Sequence, residues 1–239
     1  MRLAILTGGS SGLGLALHGQ LQQQGWRVLE FSRRAPHAGS VRLDLAEPGA
    51  VESVVKPALA RWVDTLGPDP AIDELVVIGN AGRLDPIGPV ARQDPAEVLA
   101  NLQANFSSAI LFQAAVIGQF QHLACRKVLA SVSSGAALKG LAGWSLYCAA
   151  KAGLENFIRA VAAEQACQPH PFIAVNIDPG VMDTAMQALI RQQAPDDFPD
   201  VARFIRRQAD GELRPPEVVA AAILRILALP DLAGGERRA

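Results

Sequence analysis

Short, wholly apolar runs alternate with longer amphipathic stretches along the whole chain, and that rhythm admits few folds. Leu3–Leu6, Val28–Phe31, Ser40–Leu43, Leu75–Ile78, Lys127–Val132 and Phe172–Ile177 read as strands. They lack polar alternation, as strands buried on both faces do. Between them, Leu13–Gln24, Val51–Val63, Leu99–Phe120 and Ser145–Glu164 read as helices. A last helix opens at Pro215–Pro216, where proline fits the first turn. Such alternation implies βαβ units and an α/β fold with a doubly wound parallel sheet of the Rossmann type. The 239 residues suit a single domain over 1–239. Pro57 predicts a kink or break in the second helix. Residues 184–214, interrupted by charges and by Pro195 and Pro199, read as an irregular, mobile excursion near a ligand site.

Composition removes several function classes. A formal net charge of -1 gives no electrostatic footprint for nucleic acid or an anionic membrane. No stretch approaches the roughly 18 apolar residues of a membrane span. The apolar start, Met1–Leu6, ends too soon for a signal sequence. Cys125, Cys148 and Cys167 have no metal-ligand spacing, so no metal site is expected and a reducing compartment fits. The expectation is a cytoplasmic protein. Of the basic pairs Arg33–Arg34, Arg206–Arg207 and Arg237–Arg238, only the first is read as more than solvated surface.

Thr7-Gly8-Gly9-Ser10-Ser11-Gly12-Leu13-Gly14 lies between the first strand and the first helix. The chain must turn sharply there, and a diphosphate can approach the backbone closely where no Cβ intervenes. The following helix offers unpaired N–H groups and its positive dipole end to that anion. Gly8-x3-Gly12-x-Gly14 is not the G-x-G-x-x-G spacing, so the motif alone is weak. The second strand ends at Phe31-Ser32-Arg33-Arg34, where an acidic residue would select NAD. Arginine there suits the 2′-phosphate of NADP, which a guanidinium grips bidentately. Glu30 is near, but strand alternation turns it to the face opposite Phe31.

Tyr147, the only tyrosine, stands four residues before Lys151 near the start of a long helix. That spacing stacks them on one face. An adjacent ammonium is expected to lower the phenol pKa and make it a tunable proton donor. Ser134, just past a strand, could hydrogen-bond a substrate oxygen as charge develops on it; by composition alone Ser131, Ser133 and Ser145 compete. Asn105 sits in an otherwise apolar helix, where an amide is commonly a local hydrogen-bonder.

Taken in order, these residues resemble the short-chain dehydrogenase/reductase family along nearly the whole chain. Its markers are Thr7-Gly8-x3-Gly12-Leu13-Gly14, Asp44-Leu45, Asn80-Ala81-Gly82, Asn105, Ser134, Tyr147-x3-Lys151, and Pro179-Gly180 with Thr184. The resemblance implies NADP(H) as cofactor and a small-molecule carbonyl as substrate. It implies that Tyr147 donates a proton, Lys151 tunes it and binds the nicotinamide ribose, Ser134 orients the carbonyl, and Asn105 supports a water relay. Cofactor contacts would come from Gly8, Ser10, Ser11, Gly12, Leu13, Gly14, Ser32, Arg33, Asp44, Leu45, Asn80, Ala81, Gly82, Pro179, Gly180, Val181 and Thr184. The two long helices, 99–120 and 145–164, would pair in a homodimer.

The segments 143–151 and 178–187 look like the sepiapterin reductase and benzil reductase branch, which handles vicinal dicarbonyls. Trp144, Met182 and Met186, with Phe198 as a further candidate, would wall an apolar pocket. Three departures stand out. Gly79 replaces the first of two asparagines, and Ser11 replaces a basic residue, leaving the 2′-phosphate to Arg33 with Arg34 as a possible aid. The last strand is truncated, and Ala239 falls where sepiapterin reductases carry a pterin-anchoring Asp, so pterin reduction is not favoured. The competing expectations are a reductase of 3-oxoacyl, steroid or sugar carbonyls, and a non-enzymatic dinucleotide sensor. No basic docking patch for an acidic acyl carrier is evident in the sequence.

Overall fold

The computed structural model describes residues 1–238; Ala239 lies outside them. Seven parallel strands form one sheet in the order β3-β2-β1-β4-β5-β6-β7. They are β1 (Arg2–Thr7), β2 (Arg27–Ser32), β3 (Val41–Arg42), β4 (Glu74–Gly79), β5 (Arg126–Val132), β6 (Phe172–Ile177) and β7 (Arg237–Arg238). Alternation within each strand feeds two cores. Leu3 and Ile5 join Phe31, Leu75, Val77 and Leu129 on one face. Ala4 and Leu6 join Val76, Ile78, Val128 and Val175 on the other. Helices cover both: α1 (Gly12–Gln23) and α8 (Pro216–Leu227) on the second face, α2 (Lys56–Asp64), α4 (Ser108–Phe120) and α5 (Ser145–Gln165) on the first. The fold is the expected single-domain, doubly wound α/β sheet. Strand order reverses between β1 and β4, and the crevice outside the strands' carboxyl ends there is where such sheets bind ligands.

Several local expectations need correction. The kink or break expected at Pro57 takes the form of a change of register: a wide turn, Val51–Val55, runs into α2, whose second residue is Pro57, and the helix continues beyond it. The 99–120 stretch is not one regular helix. It is α3 (Pro95–Leu102), capped by Asp94, then a wide turn over Gln103–Ser107, then α4. Asn105 sits inside that wide turn, a kind of bulge often found at functional sites. Residues 184–214 are not irregular: they carry α6 (Ala185–Arg191) and α7 (Val201–Ala209). Thr184 caps α6 by accepting from Gln187 N, and α7 buries Val201 and Phe204. In β7 the described residues Arg237 and Arg238 pair with Asn176 and Ile177. No helix among the described residues is long and apolar enough to cross a membrane, and no metal-holding cluster is present among them.

Candidate active site

Two adjoining hollows open at the carboxyl ends of β1, β4 and β5. The first is a cleft of about 300 Å³ bounded by the 8–14 turn, the ends of β2 and β3, and residues 80–83. The turn is held from below. Thr7 Oγ1 accepts from Asn80 N and Ala81 N, both at 3.0 Å, while Asn80 Nδ2 donates to the carbonyls of Thr7 and Gly8. Close packing dictates glycine at position 14, where a Cβ would lie 2.0 Å from the Gly8 carbonyl oxygen. Gly12 has φ +51° and faces Thr184 across the cleft, its missing Cβ 3.3 Å from that side chain.

α1 begins with no side-chain cap from Ser11 and no acidic residue in its first turn. Its first N–H groups and positive dipole end are therefore available to an anion. Together with the shallow glycine backbone, this fits a dinucleotide diphosphate. Arg33 lines the cleft and forms no ion pair or hydrogen bond among the described residues. Arg34 instead donates to the Ser10 carbonyl, buttressing the turn. Glu30 is buried beneath the turn and accepts from Gly9 N at 2.8 Å, away from the cleft.

The second hollow, about 320 Å³, adjoins the Tyr147 end of the cleft. Tyr147, Ser133, Pro179, Met182, Thr184 and Met186 line both hollows and form the seam. Ser134 lines only the second; Lys151 lines only the first. Of the cofactor-contact residues expected from the sequence, Gly180 and Val181 fall in the second hollow, and the rest border the cleft. Trp144 walls the second hollow, stacked on Phe198 at 4.6 Å and set edge-on to Tyr147 at 6.1 Å. Phe198 is fully buried and does not reach the hollow; its place in the wall is behind Trp144.

The phenol of Tyr147 is buried beside the Ser134 side chain. Burial pushes its pKa up to about 12, against a smaller lowering from the nearby Ser134 hydroxyl. This reverses the expected direction, because a low-dielectric site penalises the phenolate more than its neighbours favour it. Lys151 Nζ stands 5.6 Å from the Tyr147 ring and donates to the Val132 carbonyl at 2.7 Å. Burial brings the ammonium down to about 8. Ser134 starts a short helical turn and accepts from Ala136 N. Asn105 lines neither hollow: its Oδ1 accepts from Arg83 N at 2.9 Å and its Nδ2 donates to the Arg83 carbonyl and to Asn101. A Cβ on Gly82 would sit 3.3 Å from Asn105 Oδ1 and 3.9 Å from Lys151 Nζ, so this amide backs the wall beside the lysine.

Sequence reasoning missed a network behind the site. Arg237, read as solvated surface, reaches from β7 to Ser133 Oγ (3.2 Å), the Ser134 carbonyl (3.1 Å), Asp178 (2.5 Å) and the buried Glu155. Ser133 Oγ in turn donates to Glu155 at 2.5 Å. Also missed were Leu84, Leu141, Phe204, Lys139, Arg203 and Arg207 in the second hollow. Only the amphipathic pattern of α7 could have signalled any of them.

Comparison with known proteins agrees with this geometry. A family model described as short chain dehydrogenase matches residues 2–195. A benzil reductase ((S)-benzoin forming) of Bacillus cereus is 31% identical, over 99% of this chain and 98% of that protein. One of Bacillus subtilis (strain 168) is 32% identical, over 95% and 93%. Among solved structures, that of the KRED1-Pglu enzyme superposes with a TM-score of 0.79 at 26% identity, covering 99% of this chain and 100% of that one.

Proposed function

The chain belongs to the short-chain dehydrogenase family, and from that premise we propose that it reduces a carbonyl to an alcohol with NADPH, acting on an apolar vicinal dicarbonyl of the benzil kind. The observation that carries the reading is the single phenol at the seam of the two hollows, with Ser134 beside it and the Lys151 ammonium 5.6 Å from its ring.

The dinucleotide, when bound, supplies the hydride. Ser134 and Tyr147 donate hydrogen bonds to the substrate oxygen and hold the carbonyl at the seam. As negative charge grows on that oxygen, Tyr147 gives up its proton, because an alkoxide is a stronger base than a phenolate even when the phenol stands at about 12. Lys151, mostly cationic at neutral pH with its value at about 8, favours the phenolate left behind. Its proximity to the cleft also suits it to hold the nicotinamide ribose. Asn105 is a positioning residue for the Gly82 wall beside Lys151 and keeps the lysine's surroundings fixed. Arg33, free and at the end of β2, is the candidate for the 2′-phosphate, and Asp44 with Leu45 for the adenine. Val181 and Thr184 are the candidates for the carboxamide, Thr184 lining both hollows and Val181 the second.

Trp144, Met182 and Met186 give the substrate side an adaptable apolar surface. We read the protein as a cytoplasmic homodimer that pairs the 95–120 run and α5; Leu99 and Leu111 stand exposed on the first. The experiment is NADPH oxidation with benzil, quinones and sepiapterin, with NADH in parallel. Turnover of benzil, faster with NADPH, is expected. Tight NADPH binding without turnover of any carbonyl counts against the proposal.

A further inference from the structure

The charges around the substrate hollow are one-sided. Lys139, Arg203 and Arg207 line it, and the only carboxylate there among the described residues, Asp178, is already paired with Arg237. None of the three cations lines the cofactor cleft, and Arg207 lies on the Phe204 ring, which packs 5.4 Å from Trp144, which in turn stands 6.1 Å from Tyr147. Lys139 and Arg203 are exposed and in no ion pair among the described residues. Arg207 lies over the Phe204 ring, its guanidinium carbon 5.7 Å from the ring centre, with only a 3.6 Å contact to Glu212. Leu141, Trp144, Ile190 and Phe204 give this hollow an apolar wall, with the Phe204 and Trp144 rings lying between Arg207 and Tyr147.

A site apolar in the middle and cationic at the far rim matches a ligand of the same pattern. Resting on the function proposed above, we infer that the substrate carries an anionic group, a carboxylate or a phosphate, at the end remote from the carbonyl that is reduced. The anion would lie between Arg203, Arg207 and Lys139, where guanidinium groups can bind it bidentately. The apolar wall would hold the body of the molecule. The cations at the mouth, Lys139 and Arg203 in no ion pair among the described residues, would also draw such an anion in from solution.

The test pairs 4-carboxybenzil with its methyl ester, which differ in charge and little in shape. Calorimetric titration of the protein with NADP+ present should show the acid binding about tenfold more tightly or better, as one charge-assisted hydrogen bond allows. That preference should fall below about threefold in the double variant Lys139→Gln/Arg203→Gln, and should shrink in the unaltered protein as salt is raised. Equal binding of acid and ester overturns the inference, as does a preference that survives both salt and substitution. NADPH turnover of the same two compounds separates the claims. If the acid binds preferentially but neither compound is reduced, the proposed reaction fails while the anion site stands. If both are reduced equally and bind equally, the reaction stands and the anion site fails.

Discussion

Replacing Lys151 by Met should change how stability depends on pH, by an amount the structure sets. Lys151 is buried, and its ammonium is held at about 8 rather than the usual 10.5. Between those two values the unfolded chain holds the proton and the folded chain does not. Stability from this group therefore rises with pH across that window. Below it, keeping the charge buried costs about 3 kcal/mol relative to the unfolded chain. Methionine removes the ionisation. It also removes the bond to the Val132 carbonyl, but that loss is nearly the same at every pH. The stability of the variant minus that of the unaltered protein is thus most favourable to the variant near pH 7. It should fall by about 2 kcal/mol between pH 7 and pH 9.5. Urea denaturation of both proteins at several pH values reads this difference directly, and other titrating groups cancel in the subtraction. A difference that stays flat within about 0.5 kcal/mol, or moves the other way, would refute the account of Lys151 as a desolvated ammonium.

Three further outcomes follow from named contacts. Arg33→Ser should raise the KM for NADPH about 10- to 100-fold, the worth of a charge-assisted bidentate contact, with little change for NADH; equal effects on both would remove Arg33 from the 2′-phosphate. Gly14→Ala puts a methyl 2.0 Å from the Gly8 carbonyl, so the turn must open; about 1–3 kcal/mol of stability and most dinucleotide affinity should be lost, as urea melts and NADPH titration would report. Arg237→Met leaves the buried Glu155 with Arg159 as its one cationic partner among the described residues, beside the Ser133 hydroxyl, which should cost about 3 kcal/mol in urea melts and lower kcat through a displaced Ser134; an unchanged kcat would confine Arg237 to stability.

The fold was legible because parallel strands buried on both faces leave unbroken apolar runs, as at Leu75–Ile78 and Phe172–Ile177. The glycine turn and the Tyr147–Lys151 pair were legible because each is local: a close approach without Cβ, and one helical turn. What escaped reading depends on long-range packing. Lys139, Arg203 and Arg207 meet around one hollow only because α7 folds over the segment after β5. Arg237 finds Glu155, 82 positions earlier by their numbers, only because β7 pairs beside β6. The direction of the Tyr147 shift was misjudged for the same reason: spacing reveals the ammonium neighbour but not the burial that outweighs it.

The central claim is that Tyr147 hands its proton to the substrate oxygen, and Tyr147→Phe tests it with the least disturbance. The variant keeps the ring against Trp144 and removes only the hydroxyl. NADPH oxidation in the presence of benzil should fall by about 10²- to 10⁴-fold, while NADPH affinity measured by titration stays within about twofold. Benzil reduction at close to the original rate would contradict the account.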